Sequence, residues 1–269
     1  MRKAFIENWF PTAVIAVGVI VIIGLFNGCS NPAPVPETTP PTEVVPAPNP
    51  PPPPSSCSVY YTQSKLSTIF TSSSATNIEK FSKGFAYACK FGIKDKSHEA
   101  MYLATVLTEV GTDLVGVREN LNYSCDALPS IFSYYKDHGG YNDDGRCNGH
   151  DANQPTIGAK IYANRLGNGD VGTGDGYTYR GGGYAQTTGY YNYNVIVVGV
   201  NKRVGTSYTT HNFADNITNT YVANLGGMGY WLQVGAENCG TMSCVTDKWN
   251  MYTESRQERE NNYNRIMSY

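Results

Sequence analysis

Apolar positions are distributed unevenly along this chain, and their spacing divides it. Residues 9–26 form an apolar run, broken early by Pro11 and preceded by Arg2 and Lys3, which is the layout of a secretory signal. The run is also about as long as the roughly 17 to 25 residues that span a bilayer, so an uncleaved anchor is the rival expectation. Further along, Phe81, Phe85 and Cys89 recur every fourth residue within 77–91, one face of a helix. HEAMYLATVL, residues 98–107, is apolar nearly all round. That pattern predicts a buried helix capped by Ser97, with Glu109 emerging at its end just before Gly111. Pro155 is placed to open a helix that runs to Leu166. Residues 188–200 fit helix or strand, residues 221–234 read as helix despite Gly226 and Gly227, and residues 253–267 read as a polar C-terminal helix. The predicted fold class is mainly α, with long loops such as residues 139–153.

Composition changes this picture at the amino end. Of the 15 prolines, all but Pro11, Pro129 and Pro155 fall between Pro32 and Pro54. Residues 30–56 are therefore expected to be a stiff, extended proline-rich linker. Leu25-Phe26-Asn27-Gly28-Cys29 is laid out like a bacterial lipoprotein box, with Cys29 the candidate lipidation site and Phe26 and Asn27 atypical. Residues 1–29 are then a signal peptide or membrane anchor, and residues 57–269 the folded domain. Setting Cys29 aside leaves Cys57, Cys89, Cys125, Cys147, Cys239 and Cys244, an even set of disulfide candidates suited to an oxidising compartment. Only Cys239 with Cys244 is favoured by spacing. No metal site is expected, because the cysteines and histidines lack ligand spacing and the Asp143, Asp144 and Asp151 loop lacks a calcium-loop pattern. A formal net charge of −2 without any basic run argues against nucleic acid as a partner.

The most informative stretch is residues 162–193, YANRLGNGDVGTGDGYTYRGGGYAQTTGYYNY. Glycines, tyrosines and amides build no continuous apolar face, but they suit a polar, aromatic site that holds sugars. The run resembles the pattern ANRLGNGD, SGDGYxYRGRG and QLTGxxNY of the lysozyme-like branch of glycoside hydrolase family 19, whose relatives are chitinases. Residues 163–170 match it letter for letter. The resemblance extends over about residues 81–267. It implies an α+β lysozyme-like, bilobal helical domain with a central glycan-binding cleft and no cofactor.

Glycosidic cleavage requires one protonated carboxyl and a second carboxylate that activates water or attacks. Glu109, at the end of an apolar helix, is expected to be desolvated and to hold its proton. In the family, ATVLTEVGTD matches the segment of the catalytic acid, and the intact ENLNYS beginning at Glu119 maps that residue onto the general base of an inverting mechanism. Asp113 is the substitute base. The resemblance makes Gln186 and Thr188 binders of substrate and the attacking water, and Tyr191 and Asn192 cleft residues. VTDKWN then brings Asn250 and, further on, Arg259 into the substrate-binding set, followed by Tyr263. Two positions depart from the pattern. The second arginine of RGRG is Gly182, which removes a charge expected near the carboxylates, and a Gly-Gly pair is Met251-Tyr252.

The expected function is therefore that of a muramidase-like peptidoglycan hydrolase with lysozyme activity, cutting β-1,4 glycosidic bonds. A chitinase and a noncatalytic glycan-binding envelope lipoprotein are the alternatives. The expected partners are peptidoglycan or chitin-type strands and, through the N-terminus, a membrane. The protein is expected to be monomeric, in the cell envelope facing the periplasm or exterior, with virion association the further option.

Overall fold

Ser74, Asp95, Asn153, Thr209, Asn219 and Thr241 each accept a backbone N–H two or three residues downstream and start a helix. Short polar side chains do this because the first N–H groups of a helix have no partner within it. The computed structural model describes Pro52, Cys57 and residues 59–269 apart from Asn148 and Tyr252. The signal or anchor segment, Cys29 and nearly all of the linker lie outside the described residues.

In chain order the α-helices are α1 (Gln63–Ile69), α2 (Ala75–Phe85), α3 (Lys96–Val110), α4 (Ala127–Ile131), α5 (Ser133–His138), α6 (Tyr141–Asp144) and α7 (Gln154–Ile161). They are followed by α8 (Asp175–Thr178), α9 (Tyr190–Val204), α10 (Thr210–Asp215), α11 (Thr220–Gln233), α12 (Met242–Asn250) and α13 (Arg256–Met267). The architecture is mainly α, and β structure among the described residues is confined to isolated bridges. None of the described helices is long and apolar enough to cross a membrane.

Several predicted boundaries move. The helix expected over residues 77–91 ends at Phe85 and is replaced by a 3-10 turn, Ala88–Phe91, closed by Gly92 in the left-handed region at φ 73°. Asp95, not Ser97, caps α3, accepting from His98 N at 2.9 Å. Ser97 instead pairs its hydroxyl with Tyr263 at 3.0 Å. The helix opened by Pro155 stops at Ile161 rather than Leu166, which has φ 53°. The ambiguous stretch is helical from Tyr190 onward.

Two groups of buried apolar side chains hold these elements. The larger gathers residues from α1, α2, α3, α9, α11 and α12, with Phe81, Phe85, Tyr102 and Trp231 fully enclosed. Burial of aromatic surface on this scale is the main source of its stability. The smaller comprises Leu121, Leu128, Phe132, Tyr135, Ile157, Ile161 and Tyr162, around α4 to α7. All six cysteines beyond Cys29 are paired: Cys57–Cys89, Cys125–Cys147 and Cys239–Cys244, with Cα separations of 5.6, 5.8 and 5.5 Å. Cys125–Cys147 ties the loop after α6 back to the start of α4, supporting the smaller group where helices are shortest. Asp144, the last residue of α6, is buried and accepts from Tyr135 Oη at 2.8 Å and Lys160 Nζ at 2.5 Å. The α7–α8 crossing needs its glycines, since a Cβ on Gly176 would run into the carbonyl oxygen of Gly158.

Candidate active site

Residues 117–119 lie antiparallel to residues 181–183. Gly183 N donates to Val117 O at 2.8 Å, Glu119 N donates to Gly181 O at 2.8 Å, and Arg118 faces Gly182 across the bridge. This pairing draws Glu119 inward until it is 5% exposed. Its carboxylate accepts the hydroxyl of Tyr162 at 2.8 Å on Oε1, with Oε2 3.0 Å from the same hydroxyl. Gly181 N donates to Oε2 at 3.1 Å. Burial pushes the Glu119 carboxyl above the usual carboxylate range, while Tyr162, the Gly181 N–H, Arg180 and Arg118 pull in the other direction. Burial and the neighbouring carboxylate drive the Tyr162 hydroxyl far above its ordinary value, so Tyr162 remains a donor.

Gly181 is the point on which the site converges. An added Cβ there would stand 3.1 Å from Gln186 Oε1, 3.3 Å from Glu119 Cβ and 3.4 Å from Thr188 Oγ1. The Gln186 amide oxygen, the Thr188 hydroxyl and the Glu119 side-chain stem thus surround one spot without a side chain of its own. The tight return from Gly182 to Thr187 makes this possible: Thr187 N donates to Gly182 O at 2.9 Å, and Gln186 sits in the left-handed region at φ 47°. A glutamine held there is strained, on the order of 1 kcal/mol, and such strain gathers at functional sites. Asn192 then donates to Thr188 O at 2.8 Å and accepts from Gln233 Nε2 at 3.0 Å. Tyr191 is 61% exposed beside this chain of contacts, its N–H bonded to Leu166 O at 2.9 Å.

Glu109 has a different environment from the one its helix suggests. The apolar end of α3 does not leave it bare, because Arg259 on α13 donates from Nη2 to Glu109 Oε1. The Arg259 side chain is fully buried and that of Glu109 7% exposed, so this is an enclosed ion pair. Nε and Nη1 of Arg259 are buried without a hydrogen-bond partner among the described residues. Next to it, Asn262 Nδ2 donates to Thr108 Oγ1 at 3.1 Å, fixing α13 along α3.

Helix α11 joins the two carboxylates' surroundings. Tyr230, whose hydroxyl is pushed up by burial and by the charge of Glu109, donates to Trp249 O at 3.5 Å. Gln233, three residues on and so on the same helix face, reaches Asn192. Asn250 ends α12 beside Trp249, its carbonyl accepting from Thr253 N at 3.2 Å. Glu119, Gln186, Thr188 and Asn192 are thus brought into one connected group, and Glu109 and Arg259 into another. Tyr191 and Asn250 make no hydrogen bond to either carboxylate among the described residues. Asp113, the substitute base, accepts from Val115 N at 3.3 Å within its own turn.

The sequence did not single out Tyr162, Arg118, Arg180, Asn168 or Gln233. Tyr162 directly precedes the ANRLGNGD stretch, which is the signal that points to it. Asn168 inside that stretch is buried, donating to Tyr162 O at 3.1 Å and accepting from Tyr190 N at 2.8 Å. The loop thereby holds both the tyrosine that serves Glu119 and the start of α9.

No family model matches the chain. Over 104 residues, however, it is 40% identical to a protein of Haemophilus influenzae named "Glycosyl hydrolase family 19 domain-containing protein". That likeness supports the resemblance to glycoside hydrolase family 19 seen in the sequence. The match covers 39% of this chain and 49% of the relative, so the chain spans about half the length of the curated relative it matches. A mainly helical fold accords with the family 19 resemblance.

Proposed function

We propose that this protein is an exported, membrane-tethered glycoside hydrolase that cleaves β-1,4 bonds in the sugar backbone of peptidoglycan by single displacement. Glu109 is the general acid and Glu119 the general base. The observation that carries this reading is that the Gln186 amide oxygen, the Thr188 hydroxyl and the Glu119 side chain all lie against Gly181, whose N–H donates to the buried Glu119 carboxylate. Glu119 takes the proton of a water as its oxygen attacks the anomeric carbon, and Gln186 and Thr188 hold the water in line. Glu109 passes its proton to the departing glycosidic oxygen. Peptidoglycan is favoured over chitin because ENLNYS and ANRLGNGD lie nearer the lysozyme-like branch, and because a lipid-anchored proline stalk suits a wall close to a membrane.

One observation favours a second assignment on the same site. Burial raises the carboxyl of Glu119 while Arg259 gives Glu109 a counter-charge, which is the electrostatic order of Glu119 as acid and Glu109 as base. Digestion of purified sacculi followed by mass analysis tests the function: new reducing ends with saturated sugars are expected, and retention on the wall without product identifies a noncatalytic binder. Cleavage of chitin oligomers but not sacculi identifies a chitinase. The roles separate with a substrate bearing an activated leaving group, which restores turnover to the Gln variant of the acid and not to that of the base.

A further inference from the structure

Three arginines beside the two carboxylates are taken up by the protein itself. Arg259 is enclosed with Glu109. Arg118 donates from Nη1 to Tyr193 Oη at 3.0 Å and from Nη2 to Thr178 O at 2.5 Å. Arg180 donates from Nε to Glu119 O at 3.2 Å and from Nη1 to Tyr177 O at 2.7 Å, and its guanidinium stands 3.7 Å from the centre of the Tyr177 ring. Arg165 differs from all of them. It is exposed, it pairs with no carboxylate among the described residues, and its guanidinium makes a single hydrogen bond there, from Nη1 to Ile161 O at 3.3 Å. Most of its five N–H donors therefore face solvent. The acids of the same loop do not compete for them: Asp170 accepts from Gly172 N and Asp175 from Gly169 N, each at 2.9 Å.

The loop that carries Arg165 is fixed at the edge of the site. Asn164 N donates to Gly169 O at 2.8 Å and Asn168 Nδ2 to Tyr162 O at 3.1 Å, closing the loop on the tyrosine whose hydroxyl serves Glu119. Asn164 and Leu166, on either side of Arg165, both lie in the left-handed region, at φ 55° and 53°, which residues with a Cβ adopt only where their surroundings hold them. Gly167 lets the loop rest directly on the start of α9: an added Cβ would stand 2.9 Å from Tyr191 Cβ, and Tyr191 N donates to Leu166 O at 2.9 Å. An exposed guanidinium is thus held next to two exposed apolar side chains, Leu166 at 41% and Tyr191 at 61%. We propose that Arg165 is a specificity-determining residue that binds a carboxylate carried by the glycan, so that the site takes acidic strands of the peptidoglycan kind in preference to neutral chitin-type strands. The proposal rests on the glycan reading of the Glu119 site given above. Tyr191 and Leu166 offer apolar surface to the C–H face of a sugar ring, and a carboxylate projecting from that ring meets the free edge of the guanidinium, whose planar fork matches two carboxylate oxygens. A neutral strand leaves Arg165 unmatched.

The test is calorimetric binding of soluble peptidoglycan strands to the whole chain. In one arm the strands are free of peptide and their lactyl carboxylates are either free or converted to methyl esters; in the other the strands keep their stem peptides, with the peptide carboxylates free or esterified. The parent should bind the acid form about three- to tenfold more tightly than the ester. Arg165→Met should bind the two forms equally, and Arg165→Lys, which keeps the charge without the fork, should keep part of the preference. A preference in the first arm assigns the carboxylate to the sugar, and one confined to the second assigns it to the peptide. Equal affinity of the parent for acid and ester in both arms, or no binding of either, overturns the proposal. So does an Arg165→Met variant that binds both forms more weakly but keeps their ratio, because that is the result of a purely structural Arg165 acting through Ile161 O at the end of α7. Binding needs no turnover, so a parent that prefers the acid form yet releases no reducing ends refutes the hydrolase reading and leaves the Arg165 assignment standing. A parent that cuts strands but binds acid and ester alike does the reverse.

Discussion

Tyr162 and the Gly181 N–H are the direct donors to the Glu119 carboxylate, so they set how far burial can raise it. Replacing Tyr162 with Phe removes one donor and leaves the desolvation in place. A donor to the charged form stabilises it, so its loss raises the Glu119 pKa further. A general base works only when ionised, and the acidic limb of kcat/KM against pH should therefore move to higher pH in Tyr162→Phe. A limb that stays in place removes Tyr162 from the account. The same sign governs stability. A carboxyl raised on folding binds its proton more tightly in the native state, so its contribution falls as pH climbs from the ordinary carboxylate range through the raised value. Glu119, Gln186 and Thr188 are legible in the sequence because each belongs to a motif of fixed order. Tyr162 is not: with 21 tyrosines in the chain, residue type alone singles out none of them.

Among the elements, long helices are legible and short ones are not. Helix α11 has enough turns for Leu225, Met228 and Trp231 to display their period, and its predicted and observed limits differ by one residue at each end. Helices of four to six residues, such as α4 to α6, complete too few turns to show any period. Part of this region reads as loop in the sequence. These elements depend on the Cys125–Cys147 bond, which joins residues 22 apart in sequence. Loop-closure entropy at that separation corresponds to about 3 kcal/mol. Replacing both cysteines by Ser should lower stability by about that amount in a denaturant titration under oxidising conditions. It should also reduce turnover, because Leu121 and Tyr162 flank or hold Glu119 from within the smaller apolar group. The Cys239–Cys244 double variant, with a separation of 5, should lose less, about 2 kcal/mol, and keep its turnover. Equal losses of turnover in the two variants would contradict a special link between the smaller group and the site.

At the scale of the whole molecule, two apolar groups hold two carboxylates in unequal surroundings. Glu119 lies where the smaller group meets the paired segments 117–119 and 181–183, and Glu109 is enclosed with Arg259 between α3 and α13. At the start of the domain, buried Glu99 accepts Tyr60 N at 2.9 Å and Tyr61 N at 3.0 Å, fixing the chain to α3 where the linker is expected to arrive. The mainly helical plan and the even cysteine set are legible in the amino-acid sequence alone. The ion pair is not, because Arg259 is 150 residues from Glu109 and no local pattern joins them. That pair also constrains how the central claim is tested. Removing the charge of Glu109 leaves a buried cation uncompensated, which costs about 3 to 5 kcal/mol, so variants must be compared well below their unfolding temperatures. The most direct measurement is the rate of reducing-end release from purified sacculi by the parent, Glu109→Gln and Glu119→Gln, with wall binding recorded in parallel. The account predicts a loss of about 10² to 10⁴ fold in each folded variant with binding retained. Turnover near the parent rate in either folded variant would contradict it.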